Sequence, residues 1–407
     1  MYFLREDRKL INRWFWLIGG GPMQVEACKI LKRLGLKVFV TDANGEFACK
    51  PWADDFDVVD TYDIQRHLEI TRTGKASKID IVGVACIATD CHETVAALST
   101  ELGLPGITLS LSREIGNKIA VRKRLAKLEI TQPEFYTRNE IEADHGLIDV
   151  MLGKHSKIIV KPVGLSASKG MKVLSNSEKV RVPGVLQSTV ELSRLGEYIV
   201  EELLENDGKF ASEASIETVV INGEVHFFNM VDRIFHSDLN KLPIEIGLRH
   251  LKPGVEYGHV NPTSRSDREI AEIVRQLQCL ITDLEKDGMY SGESFILKAD
   301  IFFSSRGPVI LECTPRTSGG WDSSFSSIVR GKPIQEIAIS LSLGEKVQGE
   351  LDKLPRQIEG FVAVISDVNE ASLDCLGRTF TGSSLKPTVH LAILDAINRQ
   401  REGVALS

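Results

Sequence analysis

The 407-residue sequence contains no run approaching the roughly 20 apolar residues of a membrane span, so it offers no transmembrane helix. The N-terminal stretch MYFLREDRKLINRWFWLIGGG has only a short apolar run, which passes straight into a strand-and-turn pattern; this is not a secretory signal layout. No disulfide framework is visible either. The seven cysteines (Cys28, Cys49, Cys86, Cys91, Cys279, Cys313, Cys375) are scattered, and Cys86 and Cys91 have no second pair to complete a zinc site. Free thiols in a reducing compartment, and hence a cytoplasmic location, are the expectation. Positive charge is not in excess: the formal net charge of -7 argues against electrostatic nucleic-acid binding as the main role, while leaving room for a local phosphate site. Repeats and low-complexity segments are absent. A charged fraction of 26% and a hydrophobic fraction of 43% describe an ordinary soluble globular protein long enough for two or three domains.

Residues 14 to 42 read as a β-α-β unit: the buried-type strand WFWLIGG, a turn, the amphipathic helix VEACKILKRLG and the strand LKVFVTD. Gly19, Gly20 and Gly21 permit a tight turn, and Asp42 stands where a dinucleotide fold places its ribose acid. The GxGxxG fingerprint is incomplete, however, because Gln24 takes the third glycine position. A structural unit and a nicotinamide site both remain open on these residues. Further strands (ADDFDVVD, IDIVGVACIATD), a helix (CHETVAALSTELG) and a closing loop and strand at GLPGI alternate as in a parallel doubly wound sheet ending near Ser110.

A basic helix follows, with Lys118, Arg122, Lys123, Arg124 and Lys127 within three turns. It reads either as a solvated face or as a helix from which Lys118 reaches a phosphate. The strand IIVKP carries Lys161 and leads through GLSASKG into MKVL. Backbone N–H groups of such a loop can cradle phosphate; no GK[ST] is present, so it is not a Walker loop. After EYIVEELLEN come two strands joined at Asn222-Gly223, a strong hairpin signal, with Ser215 and Glu217 on one face and Arg233 at the end. A long loop with His236, Arg249, His250 and His259 matches no compact metal motif and reads as a substrate cover or as loose surface histidines. A long amphipathic helix, Asp267 to Gly288, delivers the chain into ILKADIFFSSRGPVILEC. This is a hairpin. A three-residue loop with Gly307 left-handed places Asp300 opposite Glu312, and Thr314 and Arg316 on the same face. Opposed carboxylates repel unless a cation lies between them, and Mg²⁺ suits carboxylate and phosphate oxygen; the alternative is a pair of acids facing water.

Taken in order, these features resemble the ATP-grasp superfamily. The carriers are the Rossmann-like entry unit, the helix with Lys118, the strand–Lys161–Pro with its small-residue loop, the acidic strand end, the hairpin with one acid on each strand, and the run ECTPRTSGG. The resemblance covers about residues 14 to 345. It implies an α/β chain, α+β in its catalytic part, with a Rossmann-like pre-ATP-grasp domain at 1–110. A two-subdomain ATP-grasp domain follows at 111–350, comprising a lid (111–200) and a metal-binding part (200–350), with a small appendage at 351–407. It implies that Lys118 and Lys161 contact ATP phosphates and that Ser166, Ser168, Lys169 and Gly170 close over them. Glu201, Glu202, Leu203 and Leu204 hold adenine and ribose, with Glu217 further along the cleft. Asp300, Glu312 and Thr314 bind Mg²⁺, with Mn²⁺ as the alternative. Arg316 and Lys161 act in catalysis, and Arg233, Arg249, His250, Arg316, Ser318, Gly319 and Gly320 meet the substrate.

The implied activity is an ATP-dependent carboxylate–amine ligase forming an amide through an acyl phosphate. Its partners are small-molecule carboxylates and amines, an amino acid among them, and neither nucleic acid nor membrane; a homodimer is expected. Two departures stand out: Thr314 replaces the usual Asn, and Asp300 the commoner Glu. They motivate a non-catalytic nucleotide-binding or regulatory protein as an alternative, beside a bicarbonate-using carboxylase.

Overall fold

The computed structural model describes residues 10–165, 169–239, 256–319, 326–354, 361–365 and 379–383. Strands β1 (Trp14–Ile18), β2 (Lys37–Asp42), β3 (Asp55–Val58) and β4 (Ile81–Ala85) form a parallel sheet in the order β3-β2-β1-β4. Helices α1 (Val25–Arg33), α2 (Ile64–Arg72) and α3 (His92–Leu102) cover it. Alternation along β1 sends Phe15 and Leu17 into the layer with Ala27 and Leu31 of α1. Trp16 and Ile18 enter the opposite layer with Ile70 and Leu98. Both faces are apolar because both are covered. No strand forms at Gly103–Ile107; the segment is a connection into α4 (Leu109–Gly116). The basic stretch expected as one helix is two. Asn117 ends α4 and caps α5 (Lys118–Lys127), its side chain accepting from Ile119 and Ala120 N–H.

A second sheet holds β5 (Phe135–Thr137), β6 (Lys157–Pro162), β7 (Lys172–Ser175) and β8 (Tyr198–Glu202) in the antiparallel order β5-β8-β6-β7. Helices α6 (Arg138–Ala143), α7 (Gly146–Lys154) and α8 (Val182–Leu192) pack on it through Ile141, Met151, Leu152 and Val185.

The third sheet is the largest. It comprises β9 (Glu213–Ile221), β10 (Glu224–Phe235), β11 (Glu256–Asn261), β12 (Phe295–Ser304), β13 (Gly307–Thr314), β14 (Phe361–Ile365) and β15 (Thr379–Ser383). The order is β13-β12-β9-β10-β11-β14-β15, antiparallel throughout. The expected long histidine loop is therefore shorter: β10 continues to Phe235, a short α9 (His236–Leu239) follows, and His259 lies on β11. The C-terminal segment expected as an appendage adds its two described strands to this sheet's edge. At the β9–β10 turn Asn222 (φ 50°) and Gly223 (φ 85°) are both left-handed, the twist a tight hairpin needs.

One sheet face is greasy and the other carries charge. Helix α10 (Asp267–Lys286), opened by a Ser266–Glu269 capping box, lays Ile273, Leu277, Leu280, Ile281 and Leu284 on Ala214, Ile216, Leu297, Ala299 and Ile301. After α11 (Ser326–Arg330), helix α12 (Ile334–Ser342) reaches two units at once. Its Ile334, Ile337 and Leu341 join Val219, Phe228 and Ile296 of the large sheet, while Ile339 completes the layer of Phe15, Ala27 and Val82 in the first.

Candidate active site

Strand register alone assembles the charged face. Because side chains alternate, residues two apart share a face, and cross-strand partners stand beside each other. Three adjacent rows result: Phe302–Glu213–Arg233–His259, Glu312–Asp300–Ser215–Val231 and Thr314–Lys298–Glu217–Asn229. The opposition of Asp300 and Glu312 is reached by a different route from the one the sequence suggests. The turn has two residues, Ser305 and Arg306, with Ser304 paired to Gly307 (φ 110°); a register shift between Asp300 and Ile301, at Leu311, then brings Glu312 across.

The carboxylate pair is already surrounded by cations. Lys298 Nζ lies 2.5 Å from Asp300 Oδ2 and 3.5 Å from Glu312 Oε1. Lys118 Nζ lies 2.7 Å from Glu312 Oε2, and Arg233 lies 3.4 Å from Asp300. Burial works to raise the pKa of Glu312, but Lys118 and Lys298 outweigh it and hold the group well below the usual carboxylate range. Asp300 shifts upward, because burial and the neighbouring Glu312 outweigh Lys298 and Arg233. Thr314 is buried next in line, and its hydroxyl has no hydrogen-bond partner among the described residues.

A cleft of about 830 Å³, part of it open to solvent, gathers Lys118, Lys161, Glu201, Glu202, Leu203, Leu204, Glu213, Arg233, Asp300 and Glu312. Lys161, on β6, donates to Glu201 at 2.5 Å; Arg122, on α5, donates to the other oxygen of the same carboxylate at 2.6 Å. Burial alone would raise Glu201, yet these two cations bring it down to about 2. Glu202 accepts from Glu134 N–H and Arg306, so it faces the cleft rim. Glu213 is pushed up to about 7, chiefly by burial, with Arg233 opposing and Asp300 and Glu256 reinforcing.

Glu217 and Ser318 meet each other: Ser318 N–H donates to Glu217 at 2.9 Å, and the Ser318 and Ser215 hydroxyls are 2.9 Å apart. Arg316 is buried and turned to the first unit, where its guanidinium binds Asp90 and the Thr317 carbonyl. Gly319 lies beside the Ala88 carbonyl. Lys169 and Gly170 (φ 75°) sit at the mouth of β7. Ser166, Ser168, Arg249, His250 and Gly320 lie outside the described residues.

Three participants escaped the sequence reading. Lys298 is two residues before Asp300, so the period of two could have found it. Arg122 is one helical turn from Lys118, in the basic run read either as a solvated face or as a phosphate helix, and it is only 1% exposed. Asp90 had no local signal. The glycine turn after β1 is packed against the protein's own side chains. A Cβ on Gly19 would lie 2.4 Å from Gln24 Nε2, and one on Gly20 2.4 Å from the Phe47 ring. Asp42 is used internally, accepting from Gly20 N–H at 2.7 Å.

The parallel sheet, the small antiparallel sheet and the large sheet with its carboxylate hairpin together resemble, in fold, solved structures of ATP-grasp ligases. Among solved structures, an L-amino acid ligase from Bacillus licheniformis superposes with a TM-score of 0.66 at 15% identity, covering 88% of this chain and 81% of that one. A phosphoribosylglycinamide synthetase from Anaerococcus prevotii gives 0.63 at 18% identity, covering 87% and 81%. The biotin carboxylase domain of a Hydrogenobacter thermophilus 2-oxoglutarate carboxylase, in complex with ADP, its magnesium salt and bicarbonate, gives 0.64 at 13% identity, covering 87% and 74%. At such identities the likeness shows the fold alone. No protein-family model and no curated protein matches the chain by sequence. No helix among the described residues is long and apolar enough to cross a membrane.

Proposed function

We propose that this chain is an ATP-dependent carboxylate–amine ligase that forms an amide on a small molecule, an amino acid among the candidates, through an acyl phosphate. The observation carrying the reading is the directly opposed pair of buried Asp300 and partly buried Glu312 beside Lys118 and Lys161 in one cleft. The donor set fits a hard divalent cation: two carboxylates plus the orphaned Thr314 hydroxyl, all oxygen. Asp300, Glu312 and Thr314 would hold Mg²⁺, which supplies charge neutralisation to the β- and γ-phosphates.

Every other requirement falls on the chain's own side chains. Lys118 and Lys161 face the phosphates and offset their charge as the phosphoryl group passes to the substrate carboxylate. Lys169 and Gly170, just before β7, belong to the loop this reading assigns to keeping water from the acyl phosphate. Leu203, Leu204 and the backbone around Glu201 and Glu202 take the adenine and ribose end. Arg316, released from Asp90, receives the substrate carboxylate. The amine then attacks the acyl carbon and phosphate leaves.

Screening amino acids and other carboxylates with amines for ADP and phosphate release tests this reading. Amine-dependent release with one carboxylate is the expected result; silence across broad sets with ATP and Mg²⁺ would overturn it. Release that depends on bicarbonate alone would make the chain a carboxylase instead.

A further inference from the structure

The Asp300/Glu312 pair is not a bare metal clamp, because Lys298 is built into it. Lys298 is 5% exposed, stands in the row next to the pair, and places Nζ 2.5 Å from Asp300 and 3.5 Å from Glu312. A divalent cation held by both carboxylates needs its oxygens at about 2.0–2.1 Å, in the same small volume that this ammonium fills. Two cations at that separation also repel strongly in a buried site. Ammonium and metal therefore exclude each other at this position. Lys298 has somewhere to go: Glu217 is its directly opposed neighbour on β9, and the cleft holding Lys118 and Lys161 lies beyond the carboxylates.

We propose that Lys298 is the resident counter-ion of the carboxylate pair, and that a divalent cation enters only when an incoming polyphosphate draws the ammonium away. Resting on the ligase reading above, this makes Lys298 the residue that sets the order of binding. Free metal is refused, the metal–nucleotide complex is accepted, and Lys298 moves from carboxylate to phosphate as it enters. Lys118 does not serve the same purpose. It pairs at 2.7 Å with Oε2 of Glu312, the oxygen other than the one Lys298 approaches, and makes no ion pair with Asp300 among the described residues.

The test is a Mn²⁺ titration of the full chain, followed by electron paramagnetic resonance of the free ion, with and without a non-hydrolysable ATP analogue. The unmodified protein is expected to bind Mn²⁺ at least about tenfold more tightly with the analogue than without it. Lys298→Met is expected to bind Mn²⁺ without nucleotide at least about tenfold more tightly than the unmodified protein, and Lys298→Arg to restore the dependence. Should Lys298→Met fail to fold, Lys298→Gln takes its place, and the nucleotide dependence of the unmodified protein is itself a test. Equal, nucleotide-independent Mn²⁺ affinity in the unmodified protein and the variant would overturn the counter-ion role while leaving the clamp standing. No Mn²⁺ binding by any form, even with the analogue, would overturn both.

Discussion

At the scale of single residues, Glu201 is the most tightly held group in the cleft. It accepts from Arg122 on one oxygen and Lys161 on the other, with the guanidinium of Arg122 also reaching the Ile310 and Leu311 carbonyls of β13. Removing its charge strands two buried cations, so Glu201→Gln is expected to cost about 3–5 kcal/mol in a denaturant melt. Its pKa is depressed, so its contribution is complete above the ordinary value of 4.5 and is lost as pH falls toward about 2. Glu213 has the opposite sign. Burial beside Asp300 and Glu256 holds it near 7 despite Arg233 and Lys161, so it gains its charge as pH rises through that value. A polyanionic nucleotide should bind the unmodified protein progressively more weakly as pH passes from 6 to 8 through that value. Calorimetry should find no such dependence in Glu213→Gln. Lys118, Lys161, Asp300 and Glu312 were legible in the sequence because each sits in a local pattern with chemical meaning. Arg122 and Asp90 were not, because their partners lie 79 and 226 residues away, and no local spacing encodes such a meeting.

At the scale of elements, the β12–β13 hairpin shows how a correct end point can hide a wrong path. Apolar alternation and the SSRG turn predicted which acids would face each other. The sequence did not reveal that the turn is one residue shorter than assumed and that the bulge at Leu311 makes up the difference. Bulges depend on how a strand fits its neighbours, here β9 on the far side of β12, so they leave little trace in one strand's own composition. Inserting one alanine between Leu311 and Glu312 should therefore carry Glu312 to the opposite face and leave Asp300 unpartnered. The expected outcome is a folded chain, by circular dichroism, that has lost Mn²⁺–nucleotide binding; retained binding would show that register does not place the clamp. The α4–α5 break at Asn117 makes a similar point. Helical periodicity ran through it, while a single side-chain cap divided it.

At the scale of the whole molecule, the first unit and the large antiparallel sheet are joined around the candidate site. Arg316 binds Asp90, and Ala88 N–H donates to Thr317 at 3.2 Å, so the TPRTSGG run is anchored in the loop after β4. Asp90→Ala leaves a guanidinium that is 7% exposed without its carboxylate, and should lower stability by about 1–3 kcal/mol in thermal or denaturant unfolding. An unchanged melting profile would show that the pair does not tie the two units together. That a parallel sheet comes before antiparallel ones was readable because strand–helix alternation gives way to hairpins. Helix α12 is shared by two cores, a meeting that no single segment's pattern encodes.

That sharing bears on how the protein is made. The layer of Phe15, Ala27 and Val82 is closed by Ile339, and Gly83 has no side chain where the Ser342 carbonyl approaches. During synthesis the first unit emerges with an apolar face open, and it stays open for some 250 further residues, on the order of tens of seconds at 5–20 residues per second. The entry unit is therefore made well before the helix that seals it. Over that interval its uncovered face is where a nascent chain most needs a chaperone.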